Sequence, residues 1–216
     1  MLKVGLRFLN TGYCKALERI TLRQGGWRLI RCPALVALIE HPTQGAILFD
    51  TGYASHVLNE SRRFPLRLYR SITPMHFTPE QSAAAQLHRL GVGEVSTIVL
   101  SHFHADHVGG LKDFPGARFV YLKEAYDAVH GRSGWNALRK AFIPGLIPED
   151  FLERSDVITD ATPRVALPYE SFPWGYDLLG DHSLVGVPLP GHADGQMGLW
   201  IPNSDQGPVF LVAFFF

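Results

Sequence analysis

Short apolar runs alternate with polar breaks along this chain, in a rhythm that belongs to strands more than to helices. Ala34 to Glu40 (ALVALIE) is an apolar run, His41 to Gly45 (HPTQG) has turn chemistry, and Ala46 to Phe49 (AILF) returns as a second strand. The pair predicts a hairpin ending in Asp50-Thr51-Gly52, and the first fifty residues as a whole read as β structure. A helix is predicted from Thr78, which caps it, with Pro79 at the first helical position and Gln81 completing a capping box. Ala84, Leu87 and Leu90 share a face, and Gly91 stops the helix. Val95 to Leu100 (VSTIVL) is predicted as a buried strand, and it runs directly into Ser101-His102-Phe103-His104-Ala105-Asp106-His107.

Beyond a Pro-Gly turn at 115–116 the pattern predicts a strand, Phe119 to Leu122. A mostly helical stretch follows from Lys123 to Phe142, interrupted around Gly131 to Gly134. Ile143 to Ser171 is Pro-rich and irregular, which predicts a long loop lining a site. Ser183 to Leu189 is a strand ending in Pro190-Gly191-His192, and Gln196 to Ile201 with Val209 to Phe216 make a final hairpin. Strands outnumber helices and the helices are interspersed, so the expected class is α+β, a sheet-on-sheet core flanked by helices.

Composition changes this picture little. With 216 residues, no internal repeat and no low-complexity linker, the chain is expected to be a single domain over 1–216. Hydrophobic residues make up 46% and charged residues 19%, a globular balance. Twenty basic and 20 acidic side chains cancel, so the electrostatic footprint of a nucleic-acid or anionic-membrane binder is absent. Met1 to Asn10 lacks a signal-peptide core, and no apolar run approaches the ~20 residues needed to span a bilayer, so a cytoplasmic location is expected. Cys14 and Cys32 have no Cys-x-x-Cys spacing and are expected to be free, buried thiols.

The histidines are where chemistry enters. There are 10, and His102, His104 and His107 fall with Asp106 inside six residues at the end of an apolar strand. Residues two apart in an extended chain point the same way, so His102 and His104 can converge on one ion. Asp106 and His107 follow where the chain turns and can face a neighbouring ion. Imidazole and carboxylate ligands without thiolate suit Zn²⁺ first, with Fe or Mn as substitutes. A solvated histidine-rich loop is the competing reading, but three histidines and an aspartate at this spacing after a buried strand point to a metal.

His102 to His107 (HFHADH) resembles the His-x-His-x-Asp-His signature of the metallo-β-lactamase superfamily. The resemblance covers nearly the whole chain and implies an αββα sandwich with metals at one edge. Asp50-Thr51-Gly52 resembles the early Asp-Thr-Gly turn of that family, and Pro190-Gly191-His192 the segment supplying its next ligand. It therefore implies a first metal site of His102, His104 and His192, with Asp106 and His107 beginning a second. Asp50 is then the residue that accepts an imidazole N–H and orients a ligand. His41, His56, His76, His88, His130 and His182 are each isolated and read as surface or satisfied histidines, His182 being the one nearest His192.

The implied reaction is hydrolysis of an activated acyl bond by attack of a metal-bound hydroxide. Among family branches the chain is most similar to the lactonases, including those that open N-acyl homoserine lactones and so quench quorum signals. A small-molecule substrate and one or two zinc ions follow, and a homodimer fits the fold. Without a second metal, Asp106 is expected to act as general base. Tyr169 to Tyr176 (YESFPWGY) would line an acyl pocket or simply pack. The rivals are a glyoxalase II-like thioesterase, a one-iron persulfide dioxygenase and a catalytically impaired metal-binding protein. A secreted β-lactamase or a nuclease of this fold fits less well, for want of a signal peptide and of positive charge.

The family also supplies a bridging Asp about twenty residues after the Pro-Gly-His turn, then a last His. That Asp position falls near Phe214, where the chain reads Val212-Ala213-Phe214-Phe215-Phe216, and neither ligand is present. The C-terminal strand and helix portion of the fold is therefore expected to be missing, through truncation or frame damage, with natural reduction as the alternative. Asp106 and His107 alone are too few for tight binding, so about one metal per chain and weak catalysis are expected.

Overall fold

The structure is a computed structural model and describes residues 2–21 and 24–213. Strands β1 (Gly5–Leu17), β2 (Leu29–His41), β3 (Gly45–Phe49), β4 (Met75–His76), β5 (Val95–Val99), β6 (Arg118–Leu122) and β7 (Ser155–Ile158) form one sheet, in the order β4-β1-β2-β3-β5-β6-β7. Its β1–β3 meander is antiparallel, whereas β3, β5, β6 and β7 run parallel. Strands β8 (Arg164–Tyr169), β9 (Phe172–Asp177), β10 (Val185–Pro188), β11 (Met197–Ser204) and β12 (Gly207–Leu211) form a second, antiparallel sheet in the order β12-β11-β10-β9-β8.

The unbroken apolar runs in the sequence are explained by burial on both faces of the first sheet. Successive side chains of a strand point to opposite sides, and each run is divided accordingly. Val36, Leu38, Leu48, Ile98, Phe119 and Tyr121 join a cluster with helical residues such as Val57, Leu87 and Val108. Their neighbours Ala37, Ile39, Ile47, Phe49, Val99 and Val120 join the intersheet cluster with Leu184, Met197 and Leu199. The second sheet's outer face carries a cluster of its own, around Val185, Val187 and Trp200. Every helix that contributes a buried residue packs on the first sheet, so among the described residues no helix forms the fourth layer of the expected αββα arrangement.

Several sequence expectations shift in detail. The capping box at Thr78 is present, but it closes a 3₁₀ turn, Pro79–Gln81; Ser82 then caps the α-helix proper, Ala83–Arg89. The helical stretch after β6 divides into Lys123–Asp127 and Gly134–Leu138, broken at the glycines. Ile143 to Ser171 is not a site-lining loop. It holds two 3₁₀ turns and the edge strands β7 and β8, whose prolines sit in turns or at a sheet margin, where a missing N–H is tolerated. The final hairpin forms as expected up to Leu211, and positions 214–216 lie outside the described residues. Cys14 and Cys32 are buried, free and directly opposite one another across β1 and β2. Among the described residues no helix is long and apolar enough to cross a membrane.

Candidate metal centre

The site forms where both sheets end. Asp50 follows β3 and His102 follows β5, two adjacent parallel strands whose carboxyl ends share an edge, the usual place for a ligand in such sheets. His192 arrives from the second sheet, on the loop after β10. The two sheets are tied together at this point, because the Met197 N–H at the start of β11 donates to the Ser101 carbonyl at 2.9 Å.

Each residue of Asp50-Thr51-Gly52 has its own task. Asp50 has a φ of +64°, a left-handed turn conformation that a short polar side chain tolerates. The Thr51 N–H and hydroxyl both donate to the His107 carbonyl at 2.8 Å, which pins the short helix Ala105–Val108. Gly52 is required twice over: its φ is +67°, and a Cβ there would come within 2.1 Å of Thr11 Oγ1.

His102, His104 and His192 converge, with one ligand atom from each lying within 4.8 Å of the others. Ring centroids stand 4.5 Å apart for His102–His104, 4.8 Å for His104–His192 and 5.1 Å for His102–His192. His102 is fully buried, His104 half-buried and His192 exposed.

Ser101, a residue the sequence reading passed over, organises this group. Its N–H donates to Asp50 Oδ1 and its hydroxyl to Asp50 Oδ2, both at 2.8 Å. With that hydrogen committed, the same oxygen accepts from His102 Nδ1 at 2.9 Å, which leaves the Nε2 lone pair of His102 bare. That nitrogen is buried and has no hydrogen-bond partner. A buried polar atom without a partner is costly unless something binds it, and a cation on the histidine cluster is the natural partner.

Asp106 and His107 sit beside this cluster. His107 Nδ1 lies 2.7 Å from Asp50 Oδ2, and its Nε2 lies 3.4 Å from Asp106 Oδ2, so carboxylates face both ring nitrogens. The ring that Asp50 orients is therefore that of His107. Burial opposes charge on His107, but Asp106 and Asp50 outweigh it and raise its pKa to about 10. Burial works against the Asp106 carboxylate too, yet His107 overcomes it and lowers its pKa to about 2. The other imidazoles behave oppositely. Burial first, then neighbouring histidines, push His102 well below its ordinary range, and burial takes His104 down to about 4 against the pull of Asp106. Burial also lowers His192. The centre thus holds neutral imidazoles with available lone pairs next to an ionised carboxylate, a donor set suited to a divalent cation.

Two clefts flank the cluster. One, of about 420 Å³, runs past Asp50, Asp106 and His107 between apolar walls that include Phe8, Leu35 and Phe210. The other, of about 540 Å³, opens beside His104 and His192. Tyr169 to Tyr176 line neither; Tyr176 and Trp174 pack between the sheets and Phe172 on the outer face. His182 also lies away from the centre, with Nδ1 3.0 Å from Asp177 Oδ2 beside a pocket on the second sheet. His41 is buried against Ser183 and Asp181, His56 meets Asp113, His76 stacks on Tyr13, and His130 contacts Tyr126.

Comparison with known proteins finds relatives along nearly the whole chain. A family model described as the metallo-beta-lactamase superfamily matches residues 29–205. The N-acyl homoserine lactonase AttM of Azorhizobium caulinodans is 27% identical over 217 residues, covering 98% of this chain and 76% of the relative. A solved N-acyl homoserine lactone hydrolase, with the product N-hexanoyl-L-homoserine at its catalytic metal centre, superposes with a TM-score of 0.73 at 22% identity, covering 97% of this chain and 74% of that one. AidC, described as a dizinc quorum-quenching lactonase, superposes with a TM-score of 0.62 at 18% identity, covering 97% of this chain and 71% of that structure.

Proposed function

This chain belongs to the metallo-β-lactamase superfamily and is a metallo-hydrolase, and from that premise we propose that it opens a lactone of the N-acyl homoserine type at a zinc centre held by His102, His104 and His192. The observation that carries the reading is the convergence of these three imidazoles within 4.8 Å, one of them with a bare, buried lone pair. Three histidines leave a fourth position open, as catalytic zinc sites do. Held there by His102, His104 and His192, zinc would supply Lewis acidity toward a carbonyl and would lower the pKa of water toward neutrality.

The chain's own residues do the rest. Ser101 and Asp50 fix the His102 tautomer so that Nε2 faces the cluster. Asp50 likewise accepts a hydrogen bond from His107 Nδ1 and turns its Nε2 toward Asp106. Asp106 and His107 are the start of a second cation position. With no second cation bound, Asp106 is the general base beside the centre. The apolar walls of the 420 Å³ cleft suit an acyl chain.

The test is turnover of N-hexanoyl homoserine lactone and of an S-acyl glutathione thioester, with and without added Zn²⁺. Zinc-dependent ring opening that outpaces thioester cleavage is expected. Faster thioester cleavage gives the glyoxalase II-like reading instead. No zinc-dependent hydrolysis of either leaves a metal-binding protein without this activity.

A further inference from the structure

The cleft beside His104 and His192 carries charge that takes no part in ligating a metal. Its apolar lining includes Phe103, Ala125, Ala128 and Val129, while Arg139, Lys140 and Asp194 also face it. Asp194 is ion-paired with Lys140, and that ammonium is the first cause holding its carboxyl below the usual range. The acid of the lining is thus neutralised from within. Arg139 is exposed and has no acidic partner among the described residues. A chain with zero net charge therefore keeps a local surplus of positive charge in this cleft.

We propose that this cleft receives a carboxylate carried by the substrate, and that Arg139, supported by Lys140, selects esters or lactones bearing such a group at a short distance from the reacting carbonyl. The chemistry rests on the hydrolase reading, but the substrate class goes beyond it, since an N-acyl homoserine lactone is uncharged. A guanidinium suits the role because its planar fork matches a carboxylate in two parallel hydrogen bonds. A cleft of about 540 Å³ leaves room for a methylene spacer between that carboxylate and the centre. The opposite cleft is walled mostly by apolar side chains, and its one arginine, Arg31, lies over the Tyr13 ring.

A matched pair of activated esters tests the idea: p-nitrophenyl hexanoate and mono-p-nitrophenyl adipate, equal in carbon chain and different by one carboxylate. The zinc-loaded chain should prefer the adipate by about tenfold in kcat/KM, the size of one charge-assisted hydrogen bond. Arg139→Glu should bring the ratio to one or below, and Arg139→Lys should restore part of it. Added salt should narrow the ratio, because the cleft is open to solvent. The ratio is the readout, so a general loss of activity does not imitate the effect. Equal turnover of the two esters by the wild-type chain, or a ratio untouched by Arg139→Glu, overturns the proposal while leaving the hydrolase reading intact. If neither ester is cleaved, the hydrolase reading fails, and calorimetry of the zinc-free chain with adipate against adipamide decides the cleft. Adipate binding that Arg139→Glu abolishes supports the proposal, whereas equal binding of both compounds, or of neither, overturns it.

Discussion

At the scale of the residue, the centre is governed by one serine and one aspartate that touch no ion. Ser101 and Asp50 decide which nitrogen of His102 and of His107 carries hydrogen, and so which lone pairs face the cluster. Asp50→Asn keeps the size of the side chain but replaces one accepting oxygen by a donor aimed at a ring that already donates. Removing an outer hydrogen-bond partner of this kind lowers metal affinity by about 10- to 100-fold. Zinc retention during dialysis against a competing chelator measures it, and affinity within twofold of wild type would remove Asp50 from the role assigned here. The ligands themselves differ in how plainly the sequence announces them. His102 and His104 are two residues apart, so strand alternation alone suggests that they converge, and Asp106 and His107 complete the same six-residue motif where the chain turns. His192 is far away in sequence and is legible only through the Pro190-Gly191-His192 resemblance. Ser101 carries no sequence signal beyond its place next to the motif, because its importance lies in three hydrogen bonds that form only after folding.

At the scale of the element, alternation within the apolar runs was legible, and it divides the first sheet's side chains between two cores as the pattern suggests. Ends of elements were less so. The Thr78 capping box was read as the start of an α-helix, yet Ser82 accepts from the Ala85 N–H and caps the helix that follows. Ser82→Ala should therefore cost about 1 kcal/mol in urea unfolding, as loss of an N-cap usually does. Thr78→Ala should cost less, since it loosens only a 3₁₀ turn. A larger loss for Thr78→Ala would reverse that assignment. The Pro-rich segment was misread for a related reason. Prolines at sheet edges look like loop residues in a sequence, because what makes them tolerable is the absence of a neighbouring strand. Arg139 and Lys140 were invisible because their cleft is closed by a loop some fifty residues further on.

At the scale of the whole molecule, the zinc-free chain carries opposed titrations that set its stability. His102 and His104 are lowered from 6.5, so the unfolded chain binds more protons than the native one below that pH, and their contribution is lost as pH falls toward 4. His107 is raised from 6.5 to about 10, so its contribution is complete below 6.5 and lost as pH climbs through 10. The urea midpoint of the zinc-free chain should accordingly peak between pH 6 and 7, taking about 6.5 as the ordinary histidine pKa. His107→Asn should flatten the alkaline limb and leave the acid limb. A midpoint that rises steadily from pH 6.5 to 10 would contradict the charge state assigned to His107. Bound zinc should raise the midpoint and suppress both limbs, because it replaces protons at the same nitrogens.

The division of the histidines between two sheets has a consequence for how the protein is made. His102 and His104 leave the ribosome well before His192, and the hydrogen bond that ties the sheets at Ser101 waits for Met197, which is synthesised later still. Until the second sheet docks, a nascent chain offers an ion two imidazoles at most from this cluster, too few to compete with cellular buffers. Loading of a metal at this cluster would thus be a finishing step, timed by the closing of the sandwich and not by the appearance of the His-x-His motif. Metal capture during stepwise synthesis would then be in effect a clock for the last docking event of folding.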